Sequence, residues 1–294
     1  MKPSYVPWTC SKTFSNKHGI INAQLHMLHH KAIICFVSLL SCLPLLTFAG
    51  AREDGLEAFK SGQYTMALNY WIPLAESGDR EIQYNLGVMF SEGRGVEKNI
   101  QQAIPWLTRA ADQGDAAAQF RLGKLYTIGD GVEKSFSEAE RWIRQAANNN
   151  HGTACYYLAQ FYAHGKGLNK DPELALRWYY KGAENNNTAS QYNLGYIHEN
   201  GIGIPIDLPE AFRWYDKAAK NGAADAQANL GRLYVSGKGV RQDKVLAYVW
   251  FALAAEQNIS NAKKNAQYTF KQLNKPDRQQ AMALLEEYRN KYVK

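Results

Sequence analysis

The chain has 294 residues, 46% hydrophobic and 21% charged, a balance that fits a folded globular protein and excludes a collagen-like or wholly disordered one. Its formal net charge of +7 and its four cysteines are unevenly placed, because four lysines and three cysteines fall within the first 51 residues. The remainder is therefore expected to lack both a strongly basic nucleic-acid-binding surface and a disulfide framework.

In that opening stretch the basic residues are Lys2, Lys12, Lys17 and Lys31, with no Asp or Glu among them. An apolar run of 17 residues, Ala32 to Phe48, comes next, and then the small residues Ala49-Gly50-Ala51. Charge, apolar run and small residues in that order make a secretory signal, residues 1–51. Cleavage is expected after Ala51, with the mature chain periplasmic or secreted. The charged part is long; Met27 would open a signal of ordinary length and stands as an alternative start. Leu39-Leu-Ser-Cys42 has the form of a lipidation site, but an apolar Leu-Pro-Leu-Leu-Thr-Phe follows where a polar segment is needed. Retention as an anchor is the other alternative; with Pro44 inside it, the run lies at the short edge of the spanning range. Membrane association is expected only through an uncleaved leader. Without residues 1–51, 30 basic residues face 27 acidic ones, a net charge of +3, and Cys155 is the one cysteine left.

Residues 52–78 form a short first unit, in which Ala67, Ala75 and Gly78 keep a 36-residue phase with the rest of the chain and Ser61-Gly62 makes a tight turn. It is expected to be an N-terminal capping hairpin. Residues 79–258 hold a pattern repeated five times at that 36-residue step. Leu86, Leu122, Leu158, Leu194 and Leu230 mark the first helix of each period, and pairs such as Gly93/Gly95 end it. Asn99, Ser135, Asp171, Asp207 and Asp243 stand where a side chain can cap the second helix. That helix has a stripe of Ala, Trp and a closing small pair, and ends at Gly114, Asn150, Asn186, Gly222 or Asn258, types that accept left-handed backbone. The small residue after each leucine, for instance Gly123 or Ala159, lets the second helix approach closely. One such hairpin cannot bury its stripe alone, whereas a stack can. Pro105, inside a second helix, is expected to kink or shorten it. Trp178 is expected in the core of a central period. Residues 259–294 form a degenerate C-terminal capping hairpin, with Phe270 and Ala283 in phase and Asn274-Lys-Pro-Asp277 in place of the glycines.

These residues resemble the Sel-one-like repeat family, a relative of the tetratricopeptide repeat. Its motif reads Ala-x-x-Leu-Gly-x-x-Tyr-x-x-Gly-x-Gly-Val, a short loop, then Lys-Ala-x-x-Trp-Tyr-x-x-Ala-Ala. The resemblance spans roughly residues 52–294, with local departures at Ala159, His198 and Pro105. It implies an all-α fold, a right-handed α-α superhelix of about seven stacked helical hairpins, acting as an adaptor or scaffold. Cysteine-rich members pair two cysteines in each repeat, which this chain cannot do.

Candidates for chemistry are few. Ser260-Asn-Ala-Lys263 has the spacing of a Ser-x-x-Lys nucleophile, and Lys60-Ser-Gly62 loosely matches a companion motif, but in reversed order and in helical hairpins. His151 and Cys155 share a helical face without a third ligand at useful spacing, so no metal site is expected. His164 and His198 are expected to be solvated and packed, respectively, and Cys155 to be a buried, inert thiol beside the core leucine. No catalytic residues and no cofactor are assigned. A cell-wall or β-lactam-hydrolysing enzyme, as suggested for cysteine-rich relatives, is the alternative function.

What remains is surface. Opposite the leucine face lie Asn85/Val88, Arg121/Lys124, Tyr157/Gln160, Asn193/Tyr196 and Asn229/Arg232, each pair three residues apart on one helix side. In tetratricopeptide relatives the equivalent side lines a concave peptide groove. Stacking would align these pairs into a ladder of amide, basic and aromatic groups suited to a peptide. The expected function is an exported scaffold, monomeric, whose groove residues are Asn85, Arg121, Lys124, Tyr157, Asn193, Tyr196, Asn229 and Arg232, holding a protein or peptide partner.

Overall fold

The computed structural model describes residues 50–292. The signal, Cys42 and the alternative start at Met27 lie outside the described residues. Among these residues there are fourteen helices and no strand. The chain divides into two units after Leu74. In the first, α1 (residues 50–60) turns through Gly62 into α2 (Tyr64–Glu76). Ala58, Ala67, Trp71 and Leu74 are buried there, with Phe59 stacked on Trp71 at 5.4 Å.

The second unit alternates two sets of helices, all 13 residues long through the five periods. The first helices are α3 (Arg80–Glu92), α5 (Ala116–Ile128), α7 (Gly152–His164), α9 (Thr188–Asn200) and α11 (Ala224–Ser236). The second helices are α4 (Ile100–Asp112), α6 (Phe136–Asn148), α8 (Pro172–Glu184), α10 (Leu208–Lys220) and α12 (Lys244–Glu256). The 36-residue step thus passes into the backbone without slippage, because local chemistry fixes both ends of each helix. Asn99, Ser135, Asp171, Asp207 and Asp243 all accept a first-turn N–H at 2.9–3.2 Å. Gly93 ends α3 at φ 71 and donates its N–H to the Met89 carbonyl. After the second helices, Asn150, Asn186 and Asn258 take φ of 61, 58 and 62, a region where asparagine is among the few tolerated non-glycine residues.

Leu86, Leu122, Leu158, Leu194 and Leu230 are all buried. The small residue after each is needed for close packing: a β-carbon on Gly123 would stand 2.4 Å from Ile143 Cγ1. From α3 to α12 each helix packs on the next, so the second unit is a stack of antiparallel hairpins. The junctions carry a polar relay as well as apolar contact. Gln119 Nε2 donates to the Ala111 carbonyl at 2.9 Å, and Asn149 Nδ2 donates to Gln119 Oε1 at 3.0 Å. Gln83, Gln191 and Gln227 do the same with their own neighbours. In α7 the slot is held by Cys155, which is buried.

Three expectations need amendment. Despite Pro105, α4 keeps the full 13 residues. Pro105 is exposed, as is Gln101, whose carbonyl loses its partner, so solvent can reach the gap. Trp178 is only half-buried, whereas Trp142 and Trp250 are buried. The final hairpin, α13 (Ala262–Lys271) and α14 (Lys275–Tyr292), leaves the repeat phase. Ala266 is still buried in the leucine slot. Asn274 then caps α14 by accepting the Asp277 N–H at 2.9 Å, so the helix begins after a turn too short for the period. In consequence Ala281 is buried and Ala283 is exposed. Tyr288 and Tyr292 pack on Trp250, with ring centroids 5.2 and 5.8 Å away.

Candidate functional site

The side of the first helices opposite the leucines is open along the five periods. Asn85, Arg121, Tyr157, Asn193 and Asn229 are half-buried; Lys124, Tyr196 and Arg232 are exposed, and Val88 and Gln160 half-buried. All therefore lie off the buried face, as the one-turn spacing requires.

Their side chains are far from equally available. Arg121 Nη2 lies 2.7 Å from Glu92 of the preceding period, and its Nε donates to the Tyr84 hydroxyl at 3.3 Å. Against the opposing effect of burial, Arg121 and Arg94 hold the Glu92 carboxyl below the usual carboxylate range. Arg232 Nη2 donates to both oxygens of Glu199 at 2.5 and 2.7 Å, again one period back. Glu199 also accepts the Tyr215 hydroxyl at 3.1 Å; burial and this carboxylate together push the Tyr215 phenol up. Asn193 Nδ2 turns back to the Ala189 carbonyl at 2.8 Å, and Gln160 donates to the Tyr179 hydroxyl at 2.7 Å. Both arginines thus serve first as bridges between periods, while Lys124 and Tyr196 project to solvent.

A second series stands beside the first, and the sequence pattern did not single it out. Tyr84, Phe120, Tyr156 and Tyr192 recur at the same 36-residue step, one each on α3, α5, α7 and α9, and all are half-buried. Three of the four meet the next period, while Tyr156 packs on Tyr157 and Tyr179 of its own. Tyr84 meets Arg121 with the guanidinium 5.7 Å from the ring centre, Phe120 meets Tyr157 edge-on at 5.2 Å, and Tyr192 is hydrogen-bonded by Asn229. The step itself could have revealed this series. It was obscured because an aromatic beside a core leucine looks the same in sequence whether it is buried or displayed. A hollow of about 170 Å³ opens at the first of these junctions, with Ile100, Leu125 and Ile128 on its walls and Arg121, Lys124 and Asp130 around it.

The candidates for chemistry stay apart. His151 is the N-cap of α7: its Nδ1 accepts the Ala154 N–H at 3.1 Å, and its ring stacks on Phe120 at 4.8 Å. Burial lowers its pKa below the usual histidine value. Cys155 Sγ faces the Ala147 carbonyl at 3.7 Å, and burial pushes its thiol up, away from the reactive thiolate. Ser260 and Lys263 are exposed at the start of α13, and His164 is exposed at the end of α7. His198 is buried and shares a 2.6 Å hydrogen bond with the Tyr180 hydroxyl. Among the described residues no group of three His, Cys, Asp or Glu is placed to hold a metal ion.

Uniform hairpins stacked in register, with a continuous displayed side, define a helical-repeat scaffold of the α-solenoid class. The chain belongs to the Sel1 repeat family, whose repeat matches residues 81–115, 116–151, 152–187, 188–222 and 224–259. It is similar to the Sel1 repeat protein of Oxalobacter formigenes, at 30% identity and a TM-score of 0.67, over 80% of this chain and 98% of that one. It is also similar to c5321, a protective antigen of uropathogenic Escherichia coli with the same fold, at 29% identity and a TM-score of 0.51, over 84% of this chain and 62% of that one. A curated relative, the sel1-like repeat-containing protein L18 of Acanthamoeba polyphaga mimivirus, is 51% identical over 37 residues, 13% of this chain and 6% of that protein. Sel1 repeats generally mediate protein–protein interaction and are generally non-catalytic scaffolds.

Proposed function

We propose that this protein is an exported, non-catalytic scaffold that holds a protein or peptide partner along the displayed side of α3, α5, α7, α9 and α11. The observation that carries the proposal is the alignment of that side. Five helices of identical length and phase present the same two positions, with Lys124 and Tyr196 projecting into solvent and no structural partner claiming Lys124 among the described residues. A repeated face on a rigid stack offers an extended partner many weak contacts without a large ordering cost. Export rests on the charge and apolar order of residues 1–51.

The test uses affinity capture from envelope extracts of the source cells. Lys124→Ala with Tyr196→Ala is expected to lose the captured partner. Arg177→Ala with Arg213→Ala, exposed on the second helices α8 and α10, is expected to retain it. The opposite result would move the partner to the other side of the stack. For export, residues 1–60 fused to a reporter active only outside the cytoplasm are expected to give signal; an intact but silent fusion would end that part of the proposal.

A further inference from the structure

We propose that the end of the stack at which α7, α9 and α11 turn into α8, α10 and α12 docks on an anionic phospholipid surface, with Ile202, Pro205 and Ile206 entering the leaflet. The contact is independent of residues 1–51 and of the groove proposed above. The first argument is a change of residue type within the repeat. Residues 93–99, 129–135, 165–171, 201–207 and 237–243 join each first helix to its second. At their second, fifth and sixth positions the first two loops are charged throughout. The third has Lys166, Asn169 and Lys170 there, and the fifth has Lys238, Arg241 and Gln242. The fourth has Ile202, Pro205 and Ile206 instead. The loop itself is unaltered. Gly201 and Gly203 take φ of 67 and 72, against 67 and 74 for Gly237 and Gly239. The Asp207 N–H closes on the His198 carbonyl at 2.9 Å, as the Asp171 N–H does on Tyr162. Only the side chains differ, and the core does not take them in: Ile202 is 49% and Ile206 64% exposed, and Pro205 is exposed as well.

The second argument is placement and charge. Antiparallel helices alternate along the stack, so these loops all stand at one end. The last of them touches the start of α10, where a β-carbon on Gly239 would lie 2.3 Å from the Leu208 carbonyl oxygen, and Trp214 of α10 packs edge-on against Tyr180 of α8 at 5.9 Å. In repeat register Ile202 therefore stands between Lys166 and Lys238, Pro205 between Asn169 and Arg241, and Ile206 between Lys170 and Gln242. Lys166, Lys170, Lys238 and Arg241 are exposed, and none of them forms an ion pair among the described residues. The nearby carboxylates are engaged with the helices. Asp171, Asp207 and Asp243 each accept a first-turn N–H at 2.9 Å, and Arg213 holds Glu210 at 2.8 Å. Glu173 lies in the first turn of α8, where the helix dipole offsets its charge. The first two loops, by contrast, pair their cations: Arg94 with Glu92 at 2.5 Å and Lys98 with Asp130 at 4.0 Å.

The third argument is the chemistry of the acceptor. Apolar side chains at the tip of a turn, bracketed in their own rows by unpaired cations, ask for negative charge and hydrocarbon at nearly the same depth. A phospholipid leaflet supplies both: its phosphates take the lysines and the arginine, while the isoleucines pass into the acyl boundary beneath them. It also needs no matching hollow. No helix among the described residues is long and apolar enough to cross a membrane, so the contact is one of surface docking.

The test is co-sedimentation with vesicles of equal parts phosphatidylglycerol and phosphatidylcholine. It uses the chain without residues 1–49, which removes the apolar leader and keeps every described helix; circular dichroism checks the fold of each variant. At low salt this chain is expected to bind those vesicles about tenfold or more tightly than vesicles of phosphatidylcholine alone. Ile202→Gln with Ile206→Gln is expected to weaken binding about tenfold; the fold tolerates glutamine there, as Gln242 shows one period on. Lys166→Gln with Lys238→Gln is expected to weaken it by about the same factor at low salt. Arg94→Gln with Lys98→Gln removes two cations from the same end of the stack and is expected to change binding less than about twofold. Failure to bind the anionic vesicles overturns the inference and leaves the apolar loop to a protein partner. Unchanged binding of the isoleucine variant, or an equal loss from the two cation pairs, also overturns it, because the attraction would then be that of diffuse positive charge.

Discussion

Two junctions built on one plan differ in how they are held. Between α4 and α5, Gln119 clamps the Ala111 carbonyl and is itself clamped by Asn149, and Asp115 caps the helix with a carboxylate. Between α6 and α7, Cys155 occupies the same slot and offers the Ala147 carbonyl only a thiol at 3.7 Å. Asn185, with no amide to reach, turns back to the Lys181 carbonyl of its own helix at 2.9 Å. The cap there is His151, whose Nδ1 can accept only while it is unprotonated. One period later Gly182 replaces the usual alanine, and Ser190 is fully buried with no hydrogen-bond partner for its hydroxyl. Apolar packing is kept at the α6–α7 junction while its amide clamp is dropped; the clamp returns between α8 and α9 through Gln191. In a solenoid, stability is close to a sum over neighbouring interfaces, so the α6–α7 junction is expected to open first.

The largest test compares tryptophans on either side of that junction. Trp142, buried in the regular part, is expected to cost about 3–5 kcal/mol when changed to alanine. Trp178, half-buried and with an unpaired indole N–H, should cost clearly less; equal losses in urea unfolding would break the comparison. Next come the clamps. Gln119→Ala removes two hydrogen bonds, leaving the Ala111 carbonyl only the Gly114 N–H and the Asn149 amide only the Gly114 carbonyl, and is expected to cost about 2 kcal/mol. Cys155→Ala removes only a small side chain and a weak donor, for about 1 kcal/mol or less. A Cys155→Ala loss as large as that of Gln119→Ala would show that the thiol is a full member of the relay.

Ser190→Ala is expected to stabilise the chain by about 1 kcal/mol, by removing a buried unpaired hydroxyl. It should also convert Gly182→Ala from harmful to tolerated. A β-carbon on Gly182 would stand 2.4 Å from Ser190 Oγ, whereas Ala146 and Ala154 share the equivalent space one period earlier, both fully buried. A double-mutant cycle with no coupling between the two sites would refute this.

The smallest effect concerns pH. Burial depresses the folded-state pKa of His151, so neutral histidine is favoured by folding. Its contribution is present above the unfolded pKa of about 6.5 and is lost as pH falls from there through the lower folded value. The cap is worth at most about 1 kcal/mol at this partly exposed site. His151→Asn, which caps without titrating, is expected to reduce the drop in Tm between pH 7.5 and pH 5. An unchanged drop would assign the acid sensitivity to other groups.

How much of this was legible beforehand depends on the range of the interaction. The displayed positions Asn85 to Arg232 could be placed on one side because each pair stands one residue before and two after its leucine, which turns both off the leucine face and onto one another's side. Their availability could not be judged. Whether Arg121 is free or bound to Glu92 depends on a contact between successive periods, and the glutamate of the second bridge, Glu199, sits one position earlier in its period than Glu92 does in its own. Tyr84, Phe120, Tyr156 and Tyr192 were missed for a related reason, since display or burial of an aromatic is decided by the neighbouring hairpin.

The amino-acid sequence alone determined the helical hairpin, its period, its caps and the asparagines that close the second helices at positive φ. Those features depend on hydrogen bonds and backbone preferences within a few residues, and the same local chemistry recurs five times. Tertiary structure alone decided the relay through Gln119, its interruption at Cys155, the pairing of the two arginines and the shift that buries Ala281 instead of Ala283. Each of these requires two segments to meet across a junction, with distance and orientation set by packing of the whole stack, and repetition within one segment carries no record of that geometry.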